Sequence, residues 1–350
     1  MSQLTTPRVP GARPRVVIIG GGFAGINAAR ALGKLPVDLT VIDRRNHHVF
    51  QPLLYQVALA VLSPADIAQP IRGILARHQN TQVLMDEVTA IDTTARSLSL
   101  SSGATISYDY LILATGATHS YFGHEEWAKF APGLKSIEDA TEIRRRVLLA
   151  FELAERQMQE HGWHPPLNFI IIGAGPTGVE LAGTLAEIAH HAMNHEFRNI
   201  DPRQSRILLI EGGPRVLPAY PEDLSRSAEE QLRHLGVDVR TSQMVTGFEA
   251  GAVRMGETRL PAAVILWAAG VAASADVDVG IDVSATSEVG ATGVRSGVGV
   301  GREHEDDREL ACHWRRLIQR GVETHAIAKG DLYLHLELVV GGLLRNRRLR

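Results

Sequence analysis

Short runs of apolar, mostly β-branched residues recur along the chain, and each run predicts a strand buried on both faces of a parallel sheet. The first run, VVII at residues 16–19, is followed by an alanine-rich segment at 24–35 that predicts a helix. This alternation of strands and helices predicts an α/β fold. The other predicted strands are 37–42, 108–113, 167–172, 207–210 and 264–267, and further helices are predicted at 137–160 and 179–190.

A glycine-rich motif separates the first predicted strand from its helix. Residues 20–25 are GGGFAG, which fits G-x-G-x-x-G. Gly20 permits a tight turn, Gly22 leaves room for a pyrophosphate, and Gly25 lets the helix pack closely on the strand. Asp43 ends the next strand, 18 residues after Gly25, near the spacing of an acidic residue that binds a ribose. Together these features predict a dinucleotide site, although the glycines alone are also typical of an ordinary turn.

The motif occurs a second time in the chain. GAGPTG at residues 173–178 again follows a predicted strand and opens a predicted helix. Glu211 ends the next strand, 33 residues after Gly178, because the segment 190–204 lengthens the connection. An acid at this place favours NAD over NADP, whose 2′-phosphate it would repel, but Arg215 nearby leaves the choice open. The repeat predicts two Rossmann-like dinucleotide-binding domains, as in enzymes that pass electrons between two dinucleotides.

Composition and charge exclude several other classes of function. Hydrophobic residues make up 45% of the 350 residues, enough for the cores of two domains. A formal net charge of −3 argues against nucleic acid as a main partner. Cys312 is the single cysteine, which excludes a disulfide framework, a CxxC redox pair and a four-cysteine metal site. With no run of 18 apolar residues and no signal peptide before the first strand, the chain is predicted to be intracellular.

Longer segments around these motifs resemble the type II NADH dehydrogenase family. The strongest match is VIDRRNHHVFQPLLYQVA at residues 41–58, and GAGPTGVELAG at 173–183 is the second. The turns ATG at 114–116 and WAAG at 267–270 fit as well, so that the resemblance covers about residues 14–274. It implies a single-chain, peripheral membrane flavoenzyme that passes electrons from NADH to a quinone without pumping protons.

The resemblance implies a first domain at residues 14–135 that binds FAD, a second at 136–272 that binds NADH, and an atypical tail at 273–350. Glu180 matches the family's glutamate near the flavin and the nicotinamide, and is the candidate catalytic residue. A glutamate that is merely favoured by the helix dipole is the alternative. The residues predicted to bind FAD are Gly20, Gly22, Phe23, Ala24, Gly25, Asp43, Arg44, Gln51, Thr115 and Gly116. Those predicted to bind NADH are Gly173, Gly175, Pro176, Thr177, Gly178, Glu211, Ala269 and Gly270.

Hydride transfer between these cofactors needs no nucleophilic side chain, so neither a Ser/His/Asp site nor a metal site is predicted. His47 and His48 are interpreted as loop residues, because two adjacent histidines without further ligands do not indicate a metal. The arginines at 144–146 are interpreted as part of a solvated helix face. The family's attachment implies a location at the cytoplasmic face of the cell membrane, and a homodimer is left open.

The family pattern stops after Ser274. The family's flavin-binding strand ending in Gly-Asp, its AQ-containing helix and its membrane-docking pair are not recognisable in 275–350, and Gly330-Asp331 has no apolar strand before it. We hypothesise that the tail is a frame-shifted reading of the family's C-terminus, which translation of the other frames of the locus would test. The arginine-rich segment 345–348 either contacts an anionic membrane or forms a disordered end. Cys312 is interpreted as an incidental thiol.

Two other functions stay open on the sequence alone. Another NADH-dependent flavoprotein reductase, for example of the ferredoxin type, does not account for the match at residues 50–58. An inactive remnant that binds NADH without functional FAD is consistent with the altered tail.

Overall fold

A computed structural model of the chain describes residues 12–193, 195–274 and 278–279. The strands, in chain order, are β1 (Arg15–Ile19), β2 (Asp38–Asp43), β3 (His47–Val49), β4 (Ala68–Pro70), β5 (Thr81–Met85), β6 (Val88–Asp92), β7 (Ser97–Leu100), β8 (Thr105–Ser107), β9 (Tyr110–Leu113), β10 (Ala117–His119), β11 (Asn168–Ile172), β12 (Arg206–Ile210), β13 (Val237–Arg240), β14 (Gly247–Glu249), β15 (Ala252–Met255), β16 (Thr258–Pro261), β17 (Val264–Trp267), β18 (Val271–Ala273) and β19 (Asp278–Val279). The α-helices are α1 (Phe23–Leu32), α2 (Leu54–Ala58), α3 (Pro64–Ile67), α4 (Ile71–Leu75), α5 (Ile137–His161), α6 (Pro176–Glu187) and α7 (Glu222–His234). A π-helical turn at Ile188–Ala192 follows α6, and 3₁₀ turns lie at Gln51–Leu53, Glu125–Lys129 and Pro202–Gln204.

Contacts between residues divide the chain into two compact units. Among the described residues, the first unit holds 12–48, 69–116 and those from 273 onward. The second unit holds Val49–Ala68 and Ala117–Ala272. The division therefore differs from the predicted boundary at residue 135, because the second unit begins at 117 and also takes in the segment 49–68.

Packing explains why the segment 49–68 belongs to the second unit. Leu54, Val57 and Ile67 are buried at 4% exposure or less. They lie in the same apolar core as Phe151 of α5 and Leu181 of α6. Burying these side chains against two long helices removes apolar surface from water, which stabilises the attachment.

The first unit is built on a parallel sheet with the strand order β5-β2-β1-β9. The central strand, β1, is the predicted run of β-branched residues, and Val16 and Ile18 are fully buried in it. α1 covers this sheet through Ile26 and Ala29, which share a core with the strand. The helix ends at Leu32, three residues before the predicted end, because Gly33 forms its C-cap.

The second unit repeats this arrangement, with a parallel sheet in the order β13-β12-β11-β17. Every residue of its central strand, β11, is buried. In both sheets the strand that precedes the glycine motif, β1 or β11, is flanked by two matching strands. On one side lies the strand with the acid at its carboxyl end, β2 or β12. On the other side lies the strand followed by small residues, β9 or β17. The predicted fold class, α/β with two Rossmann-like dinucleotide-binding domains, is thus confirmed.

Each unit also carries a small sheet that the sequence analysis did not predict. In the first unit β6, β7 and β8 form an antiparallel meander, to which β19 adds in parallel beside β6. In the second unit β14, β15 and β16 form another meander. Two further strand pairs are β3 with β4 and β10 with β18. These strands are too short, at two to five residues, to give a clear alternation of apolar and polar positions.

The long helix α5 begins at a capping box. The hydroxyl of Ser136 accepts the amide of Asp139 (3.1 Å), and the Asp139 carboxylate accepts the amide of Ser136 (2.9 Å). The ring of His119 also lies 3.2 Å from this carboxylate. Burial is the largest single influence on the pKa of Asp139 and raises it, but the hydrogen bonds together outweigh burial and hold this pKa below its usual range. The helix ends at Gly162, whose φ of +72° is left-handed. The predicted helix at 137–160 is confirmed.

Two of the three adjacent arginines at 144–146 on α5 bind the same carboxylate. Arg145 and Arg146 both donate to Glu142, which lowers the pKa of that carboxyl to about 2. Arg146 is less exposed than Arg145, and it also donates to the carbonyl of Phe130 (3.2 Å). Arg145 therefore lies on a solvated helix face, as interpreted, whereas Arg146 is partly buried and also binds the backbone at Phe130.

Across the described ranges, no helix combines the length and the apolar character that crossing a bilayer would need. The interpretations made for Gly330-Asp331, Cys312 and residues 345–348 fall outside the described part of the chain.

Candidate functional site

The first glycine motif forms a tight turn at the carboxyl end of β1. Gly20 has a φ of +106°, which a residue with a side chain rarely adopts. A Cβ atom built on Gly20 would lie less than 3.0 Å from the carbonyl oxygen of Ala114. One built on Gly25 would lie less than 3.0 Å from the carbonyl oxygen of Gly20. Both positions therefore need glycine, and the turn brings the end of β9 against the loop.

The outer side of this turn is open. A Cβ atom at Gly22 would meet nothing within 4 Å. Gly22 is also the N-cap of α1, and it provides no side-chain cap, nor does an acidic residue lie in the first helical turn. The first amides of a helix lack intrahelical partners and carry partial positive charge, so an uncapped end with open space before it fits a pyrophosphate.

Asp43 fastens the loop from the end of β2. One carboxylate oxygen accepts the amide of Gly21 at 2.6 Å, and the other accepts the amide of Arg45 at 2.7 Å. A carboxylate oxygen has two lone pairs, so each retains capacity for a hydroxyl of a ribose. Arg44 follows Asp43 in the chain and is half-exposed. Its guanidinium lies 3.8 Å from the carboxylate of Glu87.

His48 also contacts the first loop, a role that the sequence analysis missed. Its Nδ1 donates to the carbonyl of Gly21 at 3.0 Å, and this fixes the proton on Nδ1 because a carbonyl only accepts. The ring meets that of Phe23 edge-on, with 4.9 Å between the centroids. Gly21 is thus held at its amide by Asp43 and at its carbonyl by His48, and nothing in the local sequence pattern signals the second contact.

The other residues predicted to bind FAD lie near the end of β9, in α1 and in a 3₁₀ turn. Thr115 is exposed at the end of β9, and Gly116 has a φ of +78° and accepts the amide of Ser274 at 3.1 Å. Ala24 lies in the first turn of α1. Gln51 is exposed in a 3₁₀ turn of the second unit, whereas the other residues predicted to bind FAD lie in the first.

The second glycine motif repeats this geometry at the end of β11. Gly173 has a φ of +97°, and a Cβ atom built on it would clash with the backbone of Ala268 and Ala269. A Cβ atom on Gly178 would lie less than 3.0 Å from the carbonyl oxygen of Gly173. At Gly175, in contrast, nothing lies within 4 Å, so the open position is again the middle glycine.

The start of α6 matches that of α1. Gly175 is its N-cap without a side-chain cap, and Pro176 and Thr177 form its first turn. Proline is suited to this place because its missing amide would have no partner in the helix. Glu180 lies in the first half of α6 and is exposed.

Glu211 does in the second unit what Asp43 does in the first. One carboxylate oxygen accepts the amide of Ala174 at 2.7 Å, and the other accepts the amide of Gly213 at 2.7 Å. The long spacing from the glycine motif therefore does not prevent the contact. Arg215 donates to the carbonyls of Pro218 (2.8 Å) and Tyr220 (2.9 Å), so its guanidinium is engaged by its own loop.

The turn after β17 is tied to a segment 150 residues earlier in the chain. The indole of Trp267 donates to the carbonyl of Ser120 (2.8 Å), and the amide of Ser120 donates to the carbonyl of Gly270 (3.1 Å). Tyr121 stacks on Trp267 at 5.1 Å and donates its hydroxyl to Ala131. Burial raises the pKa of the Tyr121 phenol, which therefore remains a neutral donor. Neither Ser120 nor Tyr121 is indicated by a motif in the sequence.

The two units thus hold matching glycine turns, each with an open middle glycine and an acidic side chain that accepts an amide of the loop. The chain matches the pyridine nucleotide-disulphide oxidoreductases over residues 14–292. It belongs to the pyridine nucleotide-disulphide oxidoreductase family. Within the described residues of this family member, no cluster of three or more His, Cys, Asp or Glu side chains is arranged to hold a metal ion.

Two relatives of this family member come from Mycobacterium tuberculosis. The type II NADH:quinone oxidoreductase NdhA is 45% identical over 276 residues, which are 77% of this chain and 59% of NdhA. The type II NADH:quinone oxidoreductase Ndh is 44% identical over 273 residues, which are 76% of this chain and 59% of Ndh. The chain thus spans about 59% of the length of these relatives, and its resemblance to type II NADH dehydrogenases is confirmed.

A solved structure supports the same relationship. NDH2 from Plasmodium falciparum, in complex with NADH, is 25% identical with a TM-score of 0.66. The match covers 75% of this chain and 56% of NDH2.

Proposed function

We propose that this pyridine nucleotide-disulphide oxidoreductase is an enzyme that oxidises NADH and passes the electrons through FAD to a quinone. The observation that carries the proposal is the duplicated cradle, in which a glycine turn, an uncapped helix and an acidic residue recur in both units. Two such cradles suit an enzyme with two dinucleotides. The relatives named as NADH:quinone oxidoreductases supply the choice of donor and acceptor.

FAD is assigned to the first cradle, where it would supply the acceptor for a hydride and release electrons to the quinone. Gly22 and the first turn of α1 would hold its pyrophosphate, with Phe23 and Ala24 among the amide donors. Asp43 would accept ribose hydroxyls while it continues to hold Gly21. Arg44, Gln51, Thr115 and Gly116 complete the proposed set.

NADH is assigned to the second cradle. Gly173 and Gly178 shape the turn, and Gly175, Pro176 and Thr177 present the uncapped start of α6. Glu211 would accept the adenosine ribose hydroxyls, and its charge opposes the 2′-phosphate of NADP. Because Arg215 already donates to two carbonyls of its loop, it is poorly placed to offset that repulsion. These contacts support NADH over NADPH.

The visible absorption spectrum of the full chain tests the assignment. We expect flavin bands in the purified protein, bleaching when NADH is added without oxygen, and recovery when a water-soluble quinone follows. A colourless protein that takes up no added FAD but still binds NADH would instead establish the inactive remnant. Bleaching that a ferredoxin reverses and a quinone does not would establish the other class of reductase.

Glu180 is proposed as the catalytic residue, acting by the placement of its charge rather than as a nucleophile. The Glu180→Gln variant should keep its flavin content and its affinity for NADH, but reduce flavin about tenfold more slowly, which corresponds to a barrier higher by about 1.4 kcal/mol. Stopped-flow absorbance under anaerobic conditions measures this rate. An unchanged rate would leave Glu180 as a helix residue without a catalytic role.

For the location, we propose peripheral contact with the inner face of the cell membrane, because a quinone acceptor is dissolved in the bilayer. Co-sedimentation of the full chain with anionic vesicles tests this contact, and it is contradicted by a chain that stays in the supernatant at low salt. A homodimer is the proposed assembly, and light scattering at a mass of one chain would exclude it.

A further inference from the structure

The second sheet fixes the direction in which a bound dinucleotide must run. Glu211 follows β12, the glycine turn follows β11, and the turn at Ala268–Gly270 follows β17. These strands are neighbours in the order β12-β11-β17, so their carboxyl ends form a row. With the adenosine ribose at Glu211 and the pyrophosphate at the glycine turn, the nicotinamide half lies beyond β17.

Phe122 is the side chain that lies against this turn. A Cβ atom built on Gly270 would be 2.6 Å from Cζ of Phe122, so the absence of a side chain at Gly270 makes room for the ring. The ring also meets Trp267 at an angle, with 6.2 Å between the centroids. Ser120, two residues earlier, is hydrogen-bonded to both Trp267 and Gly270, which holds the segment in place.

The exposure of Phe122 contrasts with that of the aromatic residues beside it. Phe122 is 67% exposed, whereas Tyr121 and Trp267 are each 4% exposed. Its φ of +54° is left-handed, a conformation that is rare for a bulky residue and that is found preferentially at ligand clamps. The backbone therefore holds an apolar ring outward at the place where the sheet directs the nicotinamide.

We propose that Phe122 is a positioning residue that contacts the nicotinamide ring of the bound dinucleotide. An aromatic face or edge suits a flat heterocycle, and it removes water from one side of the ring. The inference rests on the proposed function, because it assumes that the second unit binds NADH. It adds a contact that neither the glycine motif nor the WAAG turn supplies.

Calorimetric titration of the full chain with NAD⁺ and with ADP-ribose tests the proposal. The two ligands share everything except the nicotinamide, and neither is oxidised on binding. The Phe122→Ala variant should bind NAD⁺ roughly 2- to 10-fold more weakly, the range expected for one lost aromatic contact. Its affinity for ADP-ribose should be unchanged, and Phe122→Tyr should bind both ligands like the parent chain.

Trp163→Ala is the matched control. Trp163 is also an exposed aromatic, at 63%, but it precedes β11 and so lies toward the amino end of that strand. It should bind both ligands normally. The proposal is overturned if Phe122→Ala binds NAD⁺ like the parent, or loses NAD⁺ and ADP-ribose equally, since the latter marks a general disturbance of the unit. A parent chain that binds neither ligand would overturn the proposed function itself, and this inference with it.

Discussion

Replacing Gly25 by alanine is expected to disrupt the first unit, whereas the same change at Gly22 should leave it folded and remove its flavin. The new methyl group at Gly25 would collide with the carbonyl of Gly20. The collision cannot be relieved by a side-chain rotation, because the carbonyl belongs to the backbone of the turn and the methyl group is attached directly to the backbone of the helix. The cost should reach about 3 kcal/mol, the upper end for overpacking, which lowers the melting temperature by about 10 °C. Thermal unfolding followed by circular dichroism measures this shift.

Gly22→Ala is the control for the loss of stability, and it also tests where the flavin binds. Its Cβ atom meets nothing in the protein, and its φ of −74° is open to alanine, so the melting temperature should stay close to that of the parent. The methyl group would occupy the space proposed for the pyrophosphate, and flavin content should fall. If Gly22→Ala retains full flavin, the open side of the turn is not where the phosphates bind. The pair Gly178→Ala and Gly175→Ala provides the same comparison for NADH.

Replacing the two acids one at a time should separate the two dinucleotides. Asp43→Ala is expected to lose flavin and to keep its affinity for ADP-ribose, and Glu211→Ala is expected to do the reverse. Each change removes a charged acceptor from two backbone amides and from the proposed ribose contact. A charged hydrogen bond contributes roughly 1.5–3 kcal/mol, so the affected ligand should bind roughly 10- to 100-fold more weakly.

Flavin absorbance per chain and calorimetric titration with ADP-ribose measure these two effects side by side. Asp43→Asn and Glu211→Gln keep the shape of each side chain and one acceptor oxygen, and they should give smaller losses. Loss of ADP-ribose binding in Asp43→Ala with flavin retained would reverse the assignment of the cofactors to the two units. Loss of both ligands in both variants would mean that the acids serve folding rather than ligand choice.

The matching contacts of the two acids explain why a substitution at Asp43 or Glu211 should affect both the loop and the ligand. Asp43 and Glu211 each bind the amide of the residue after the first glycine, Gly21 and Ala174. A single side chain therefore closes the turn that the ligand would occupy and offers it hydrogen-bonding capacity. Ligand contact and loop geometry are coupled through the same carboxylate.

Much of the fold follows from patterns that are local in the chain. The runs at 16–19 and 264–267 became β1 and β17 with at most one residue of difference, because a strand buried on both faces must be apolar throughout. The glycine spacing specified both turns, since the first and last glycine of each motif avoid a clash with the turn itself or with the adjoining strand. The helix predicted at 137–160 also held, because its apolar period and its capping serine are neighbours in sequence.

What the sequence did not reveal depends on contacts between distant residues. His48 lies 27 residues from its partner Gly21, and Ser120 lies 147 residues from its partner Trp267. The segment 49–68 matched the family strongly, yet only the burial of its apolar side chains in the second core assigned it to that unit. The sequence by itself therefore determined the two cradles, because their glycines and acids follow buried strands at recognisable spacings. The tertiary structure decided which side chains from elsewhere complete them, because that choice depends on packing across the whole unit.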